Sequence, residues 1–167
     1  MVIPLVWLIV TERLQAAFWL FLAAAISDAV DGFIAKRFNA KTNLGSYLDP
    51  LADKVLLDGI YVALAMGGWL PAWLVVLVIG RDLLIVCGVA LIRRRDAVFR
   101  PRPLLIGKIN TFAQILLAAC ALAHLSGWID LALAVEALVI VVALTTLLSG
   151  AGYAGQALRS LRSEQTS

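Results

Sequence analysis

Charge is what this chain has least of. Aspartate, glutamate, lysine and arginine make up 15% of its 167 residues, while 62% are hydrophobic; a soluble domain carries about a quarter charged residues and about half apolar ones. With a mean hydropathy of +0.95, the excess runs along nearly the whole length, which excludes an ordinary soluble domain and points to a polytopic membrane protein. Histidine occurs once, as His124, and cysteine twice, as Cys87 and Cys120. Each cysteine stands singly in an apolar run without C-x-x-C spacing, so neither a zinc centre nor a disulfide framework can be built from them. Any metal would be held by oxygen. His124, near the end of an apolar run, reads as an interfacial residue. The net charge is a modest +3, and no nucleic-acid partner is expected. There is no internal repeat and no separate soluble domain, so residues 1–167 form one integral-membrane unit.

What is there is a series of apolar runs. Val2 to Val10 is shorter than the roughly 20 residues a helical crossing needs. It lacks the basic start and small-residue cleavage site of a signal peptide. It is read as the end of a first, incomplete transmembrane helix, with the natural start expected about 15 to 25 residues upstream. Helices are then expected over about Leu14 to Lys36, Leu44 to Met66, Ala72 to Ile92, Leu104 to Leu125 and Leu131 to Leu158. Pro50 is tolerated in a first helical turn but kinks the helix if it lies deeper. Basic residues fall in three places: Lys36, Arg37 and Lys41; Arg93, Arg94, Arg95, Arg100 and Arg102; and Arg159 with Arg162. On the opposite face Arg13 stands alone. Basic segments stay cytoplasmic. The expectation is therefore an all-α, polytopic membrane helix bundle of six transmembrane helices, with both ends inside and the active site between helices 2 and 3 at the cytoplasmic side.

Four acids break the apolar pattern in one stretch, Asp28, Asp31, Asp49 and Asp53, with Gly32 and Gly45 among them. Charges at membrane depth are costly and mark function by default. Residues three or four apart share a helix face, so Asp28, Asp31, Gly32 and Ala35 are expected on one face, and Gly45, Asp49 and Asp53 on another. Carboxylates crowded in a low dielectric cannot all stay ionised without compensation. Divalent magnesium, manganese or calcium would supply it. Lys36, Arg37 and Lys41 lie beside them, suited to phosphate oxygens. Together these features describe a site that handles pyrophosphate. The bland alternative makes the acids helix caps or partners of Lys54, Arg81 and Lys108. A rival function is a cation-coupled transporter, against which stand the short chain and the clustering of the acids toward one face.

The pattern D-x2-D-G-x2-A-R-x8-G-x3-D-x3-D marks the CDP-alcohol phosphatidyltransferases, and this chain resembles them in register from Asp28 to Asp53. One position departs: Lys36 stands where that family has arginine, keeping the charge but losing the planar fork. Arg37 could take over part of that contact. The resemblance implies two ions, Mg2+ or Mn2+, held by Asp28, Asp31, Asp49 and Asp53. It implies a CDP moiety against Asp31, Gly32, Ala35, Lys36 and Gly45, and Asp53 also acting as general base on the acceptor hydroxyl. Gly80-Arg81-Asp82 and Gly107-Lys108-Ile109-Asn110-Thr111 with Gln114 are similar to segments of the phosphatidylglycerophosphate synthase and cardiolipin synthase branch. That similarity makes Arg81 and Lys108 acceptor-binding residues, with Arg93 to Arg95 as helpers or as anchors to anionic lipid. The P-N-x2-T-x2-R-like opening of that branch is absent.

The implied activity is phospholipid biosynthesis: transfer of a phosphatidyl group from CDP-diacylglycerol, with release of CMP. Glycerol 3-phosphate is the leading acceptor, and phosphatidylglycerol, giving cardiolipin, is the alternative. The implied setting is a bacterial inner membrane with the site facing the cytoplasm, in a family whose members often form homodimers. Asp58, Asp82 and Glu136 are left as structural partners.

Overall fold

Apolar runs punctuated by short polar turns fold as helices, because only a helix satisfies every backbone group within one segment when no water is at hand. The computed structural model describes the backbone of residues 2–38, 45–95 and 105–164, and the side chains of residues 2–27, 30, 54–88 and 105–156. Over these it holds six α-helices: α1 (Val2–Val10), α2 (Leu14–Phe38), α3 (Gly45–Met66), α4 (Ala72–Arg95), α5 (Leu105–Leu125) and α6 (Ala132–Glu164). Helices were expected in these places, but three run further than the charges suggested, α2 by two residues to Phe38. α4 continues through Arg93, Arg94 and Arg95, and α6 passes Leu158 to Glu164. Arginine is a good helix former and does not end a helix by being charged. Pro50 lies inside α3, beyond its first turn.

Three tight turns join α1 to α2, α3 to α4 and α5 to α6, and each begins the same way. The second residue after the helix takes a left-handed conformation: Glu12 at φ 57°, Gly68 at φ 75° and Gly127 at φ 76°. Orphan carbonyls of the preceding helix are then capped by the turn. The Arg13 amide donates to the Leu8 carbonyl at 2.9 Å, and the Trp69 amide to that of Leu64 at 3.0 Å. This is the Schellman closure. Glycine supplies the left-handed residue without strain in two turns, while glutamate carries it in the first. At the start of α6, the Asp130 carboxylate accepts the Ala132 amide at 3.1 Å, an N-cap. His124 Nδ1 accepts the Leu131 amide at 3.2 Å.

The turns gather at one end of the bundle. Trp19 near the start of α2 meets Trp128 of the α5–α6 turn edge-on at 5.6 Å. Gly59 of α3 faces Val2 and Val6 of α1, and both helices run on from there to their turns. All five tryptophans, Trp7, Trp19, Trp69, Trp73 and Trp128, lie in or near these turns. Among the described residues, α3 packs on α1, α4 and α5, while α5 packs on α2, α3 and α6, and α4 also packs on α6. The buried apolar core fills the turn half, with Leu5, Ile9, Leu64, Leu74 and Leu122 fully enclosed.

The outer faces are apolar too. Ile140, Leu144 and Leu148 form an exposed stripe on α6, at helical spacing. Among the described residues, Leu105–Leu125 and Ala132–Gln156 are long and apolar enough to cross a membrane, and Leu14–Ser27 is a shorter apolar part of α2.

Candidate active site

Away from the turns, the bundle's interior becomes polar. Arg81 on α4 is buried, with its side chain 7% exposed, beside Asp82 at 10%. Burying a charge is tolerated when it is paired and hydrogen-bonded, and among the described residues three of the five Arg81 N–H groups find an acceptor. Arg81 Nη1 donates to Asp82 Oδ1 at 2.5 Å. Its Nε and Nη2 donate to Ser149 Oγ of α6 at 3.1 and 2.5 Å. The same Asp82 oxygen accepts Lys54 Nζ of α3 at 2.7 Å. The guanidinium carbon lies 5.8 Å from the centre of the Tyr153 ring, within cation–π range.

These contacts belong to a larger circuit. Asn110 of α5, fully buried, accepts Thr145 and Thr146 hydroxyls of α6 on Oδ1, both at 2.9 Å. The buried Tyr61 hydroxyl of α3 donates to the Gln114 carbonyl of α5 at 3.1 Å. Side-chain bonds therefore run from α3 to α4, α4 to α6, α6 to α5 and α5 back to α3. The Asn110 and Gln114 amide nitrogens, one turn apart on α5, are buried without a partner among the described residues. Such donors are costly where water is scarce.

Above this circuit opens a pocket of about 500 Å³. Lys54, Arg81, Lys108 and Thr111 supply its polar lining, and Ile85, Phe112 and Ile115 its apolar wall. Among the described residues the charged groups lining the pocket are the cations Lys54, Arg81 and Lys108, which suits it to an anion with several oxygens. Gly107 is needed for the close approach here. A Cβ at that position would stand 3.2 Å from Arg81 Nη2 and 3.5 Å from the Tyr153 hydroxyl, tight enough to push the guanidinium away from α5.

The two acceptor-binding residues expected from sequence, Arg81 and Lys108, are thus brought to one pocket. Asp82, expected as a structural partner, pairs with both Lys54 and Arg81. Lys54, Ser149 and Tyr153 were not foreseen as members of the site. A signal for Ser149 did exist: Thr145, Thr146 and Ser149 share a helix face in an otherwise apolar run. The acid motif lies on the expected helices, with Asp28, Asp31, Gly32, Ala35 and Lys36 on α2 and Gly45, Asp49 and Asp53 on α3. Their side chains, and those of Arg37 and Arg93 to Arg95, fall outside the described residues, as does Lys41. Among the described residues no cluster of three or more histidine, cysteine, aspartate or glutamate side chains could hold a metal.

Comparison with known proteins points the same way as the motif. The chain is 36% identical over 133 residues to the cardiolipin synthase (CMP-forming) of Rattus norvegicus, covering 70% of this chain and 44% of that one. It is 38% identical over 105 residues to the CDP-diacylglycerol–glycerol-3-phosphate 3-phosphatidyltransferase of Bacillus subtilis, covering 63% and 53%. A probable phosphatidylglycerophosphate synthase of Mycobacterium tuberculosis is 35% identical over 150 residues, covering 87% and 67%. The chain spans less than half the length of the rat relative. The sequence model of the CDP-alcohol phosphatidyltransferases matches residues 1–148, and the chain belongs to that family.

Proposed function

We propose that the protein moves a phosphatidyl group from CDP-diacylglycerol to a glycerol-type acceptor, releasing CMP, in phospholipid biosynthesis. The observation that carries this reading is the cationic pocket of Lys54, Arg81 and Lys108, whose Lys54 directly follows the last aspartate of the acid motif. An acceptor phosphate held there lies beside the segment that would hold the donor. The family and the names of its relatives support the same activity.

In this mechanism Asp31, Gly32, Ala35, Lys36 and Gly45 accommodate the CDP moiety. Asp53 takes the proton of the acceptor hydroxyl, whose oxygen attacks the β-phosphorus as CMP leaves. Arg81, Lys108 and Lys54 hold the acceptor's phosphate, with Arg81 able to offer two parallel N–H groups. Asp28, Asp31, Asp49 and Asp53 are a hard-oxygen donor set, a turn apart within each of two helices, and fit two Mg2+ or Mn2+ ions. Bound metal would neutralise charge on the diphosphate.

The setting is an integral-membrane bundle of six spans. The basic segments and the active site face the cytoplasm, in a bacterial inner membrane, and a homodimer fits the family. The apolar α5 and α6 support the membrane reading.

Glycerol 3-phosphate is the first acceptor by sequence. One feature favours phosphatidylglycerol, giving cardiolipin: Ile85, Phe112 and Ile115 extend the pocket with an apolar wall that a small water-soluble acceptor would not use. The test is CMP release from CDP-diacylglycerol by membranes containing the protein, with each acceptor in turn, with and without Mg2+. Metal-dependent release with one of them is expected. No release with either would overturn the transferase and return attention to a cation-coupled transporter.

A further inference from the structure

Arginine carries five N–H donors in a rigid plane, and what binds some of them decides which remain for a ligand. In Arg81, Ser149 Oγ takes Nε–H and one N–H of Nη2, and Asp82 Oδ1 takes one N–H of Nη1. Among the described residues one N–H is left on each terminal nitrogen, and both can donate to the oxygens of a phosphate. Ser149 is fully buried, and it lies just past residues 1–148, which the family pattern covers. Without its hydroxyl, two guanidinium donors lose their acceptor in a buried setting, and a group so placed turns to the nearest alternative. That alternative is Asp82, already at 2.5 Å, whose second oxygen can accept a further N–H. A fork-to-fork pair with Asp82 would consume donors that have no acceptor among the described residues and loosen the hold of Asp82 on Lys54.

We infer that Ser149 is a positioning residue. It fixes the Arg81 guanidinium so that Asp82 takes one N–H only and two stay free for the acceptor's phosphate. The inference rests on the reading that this pocket takes that phosphate.

The test is steady-state kinetics of the full chain in lipid vesicles, varying the acceptor and CDP-diacylglycerol separately, for Ser149→Ala, Ser149→Thr and Arg81→Gln. Ser149→Ala is expected to raise the acceptor KM about tenfold, with kcat and the KM for CDP-diacylglycerol within about twofold. Ser149→Thr, which keeps the hydroxyl, is expected to restore most of that loss. An unchanged acceptor KM in Ser149→Ala, or equal damage to both substrates that Ser149→Thr does not repair, overturns the positioning role. Arg81→Gln separates the two layers of argument. If it leaves the acceptor KM unchanged, the acceptor reading of the pocket falls; if it raises that KM while Ser149→Ala does not, only the role of Ser149 falls. Should Ser149→Ala fail to accumulate, Ser149→Cys takes its place, being similar in size but a weak acceptor, with the same outcomes counted the same way.

Discussion

The two halves of the bundle are held together by different physics. In the turn half, Leu5, Ile9, Leu64, Leu74 and Leu122 are fully enclosed, and the helices are joined by tight capped turns with tryptophans nearby. In the other half a ring of hydrogen bonds and ion pairs links α3, α4, α6 and α5, and the pocket sits on that ring. Packing tolerates hydrophobic exchange of similar volume, whereas a buried polar ring is sound only when every link is made. The turn half should therefore govern stability, and the polar half activity.

The largest expected break in the comparison comes from the acid motif. Asp53→Asn should lower CMP release by about 10³-fold or more while nucleotide binding survives at least in part, since a missing general base removes a proton acceptor from the transition state. Near-normal turnover would remove Asp53 from that role. Next in size, Leu64→Ala should cost about 2–5 kcal/mol of stability, read from unfolding in detergent, through the cavity it leaves in the turn half. Turnover per folded molecule should hardly change; a large loss there would blur the division between the halves. Arg81→Gln should reduce kcat/KM for the acceptor about 100-fold through loss of a charge-assisted contact, with Lys54 still holding Asp82. The smallest effect lies in the first turn. Glu12→Gly should stabilise by about 1 kcal/mol, because a non-glycine residue at φ 57° bears a strain that glycine does not.

Much of the architecture is legible in the sequence because it is local. Val2–Val10 is bounded by its own apolar residues, and Gly67-Gly68 and Ser126-Gly127 announce turns. The shared Gly-Trp of the second and third turns, Gly68-Trp69 and Gly127-Trp128, is a short recurrence that stands out only once both glycines are seen to be left-handed at the same place after their helices. Arg81 and Lys108 could be singled out because charge in an apolar helix is costly and conspicuous. Their partners could not. Ser149 lies 68 residues from Arg81, and Tyr61 lies 53 from Gln114. Helical periodicity reports which face is buried, not which neighbour covers it. Asp82 was recognisable as someone's partner; that it serves Arg81 and Lys54 through one oxygen is a property of the packing.

The order in which the ring is made has a consequence for biogenesis. α6 is the last of the six helices in chain order, yet it provides Ser149 for Arg81 and the two threonines for Asn110. While α3, α4 and α5 alone are in place, those buried groups have no partner from α6, a costly state in an apolar interior. Arrival of α6 relieves that cost and completes the pocket in the same event. Maturation of the site is thus tied to translation having passed nearly the whole of this segment, and an unfinished chain would carry exposed polar groups that membrane quality control could recognise.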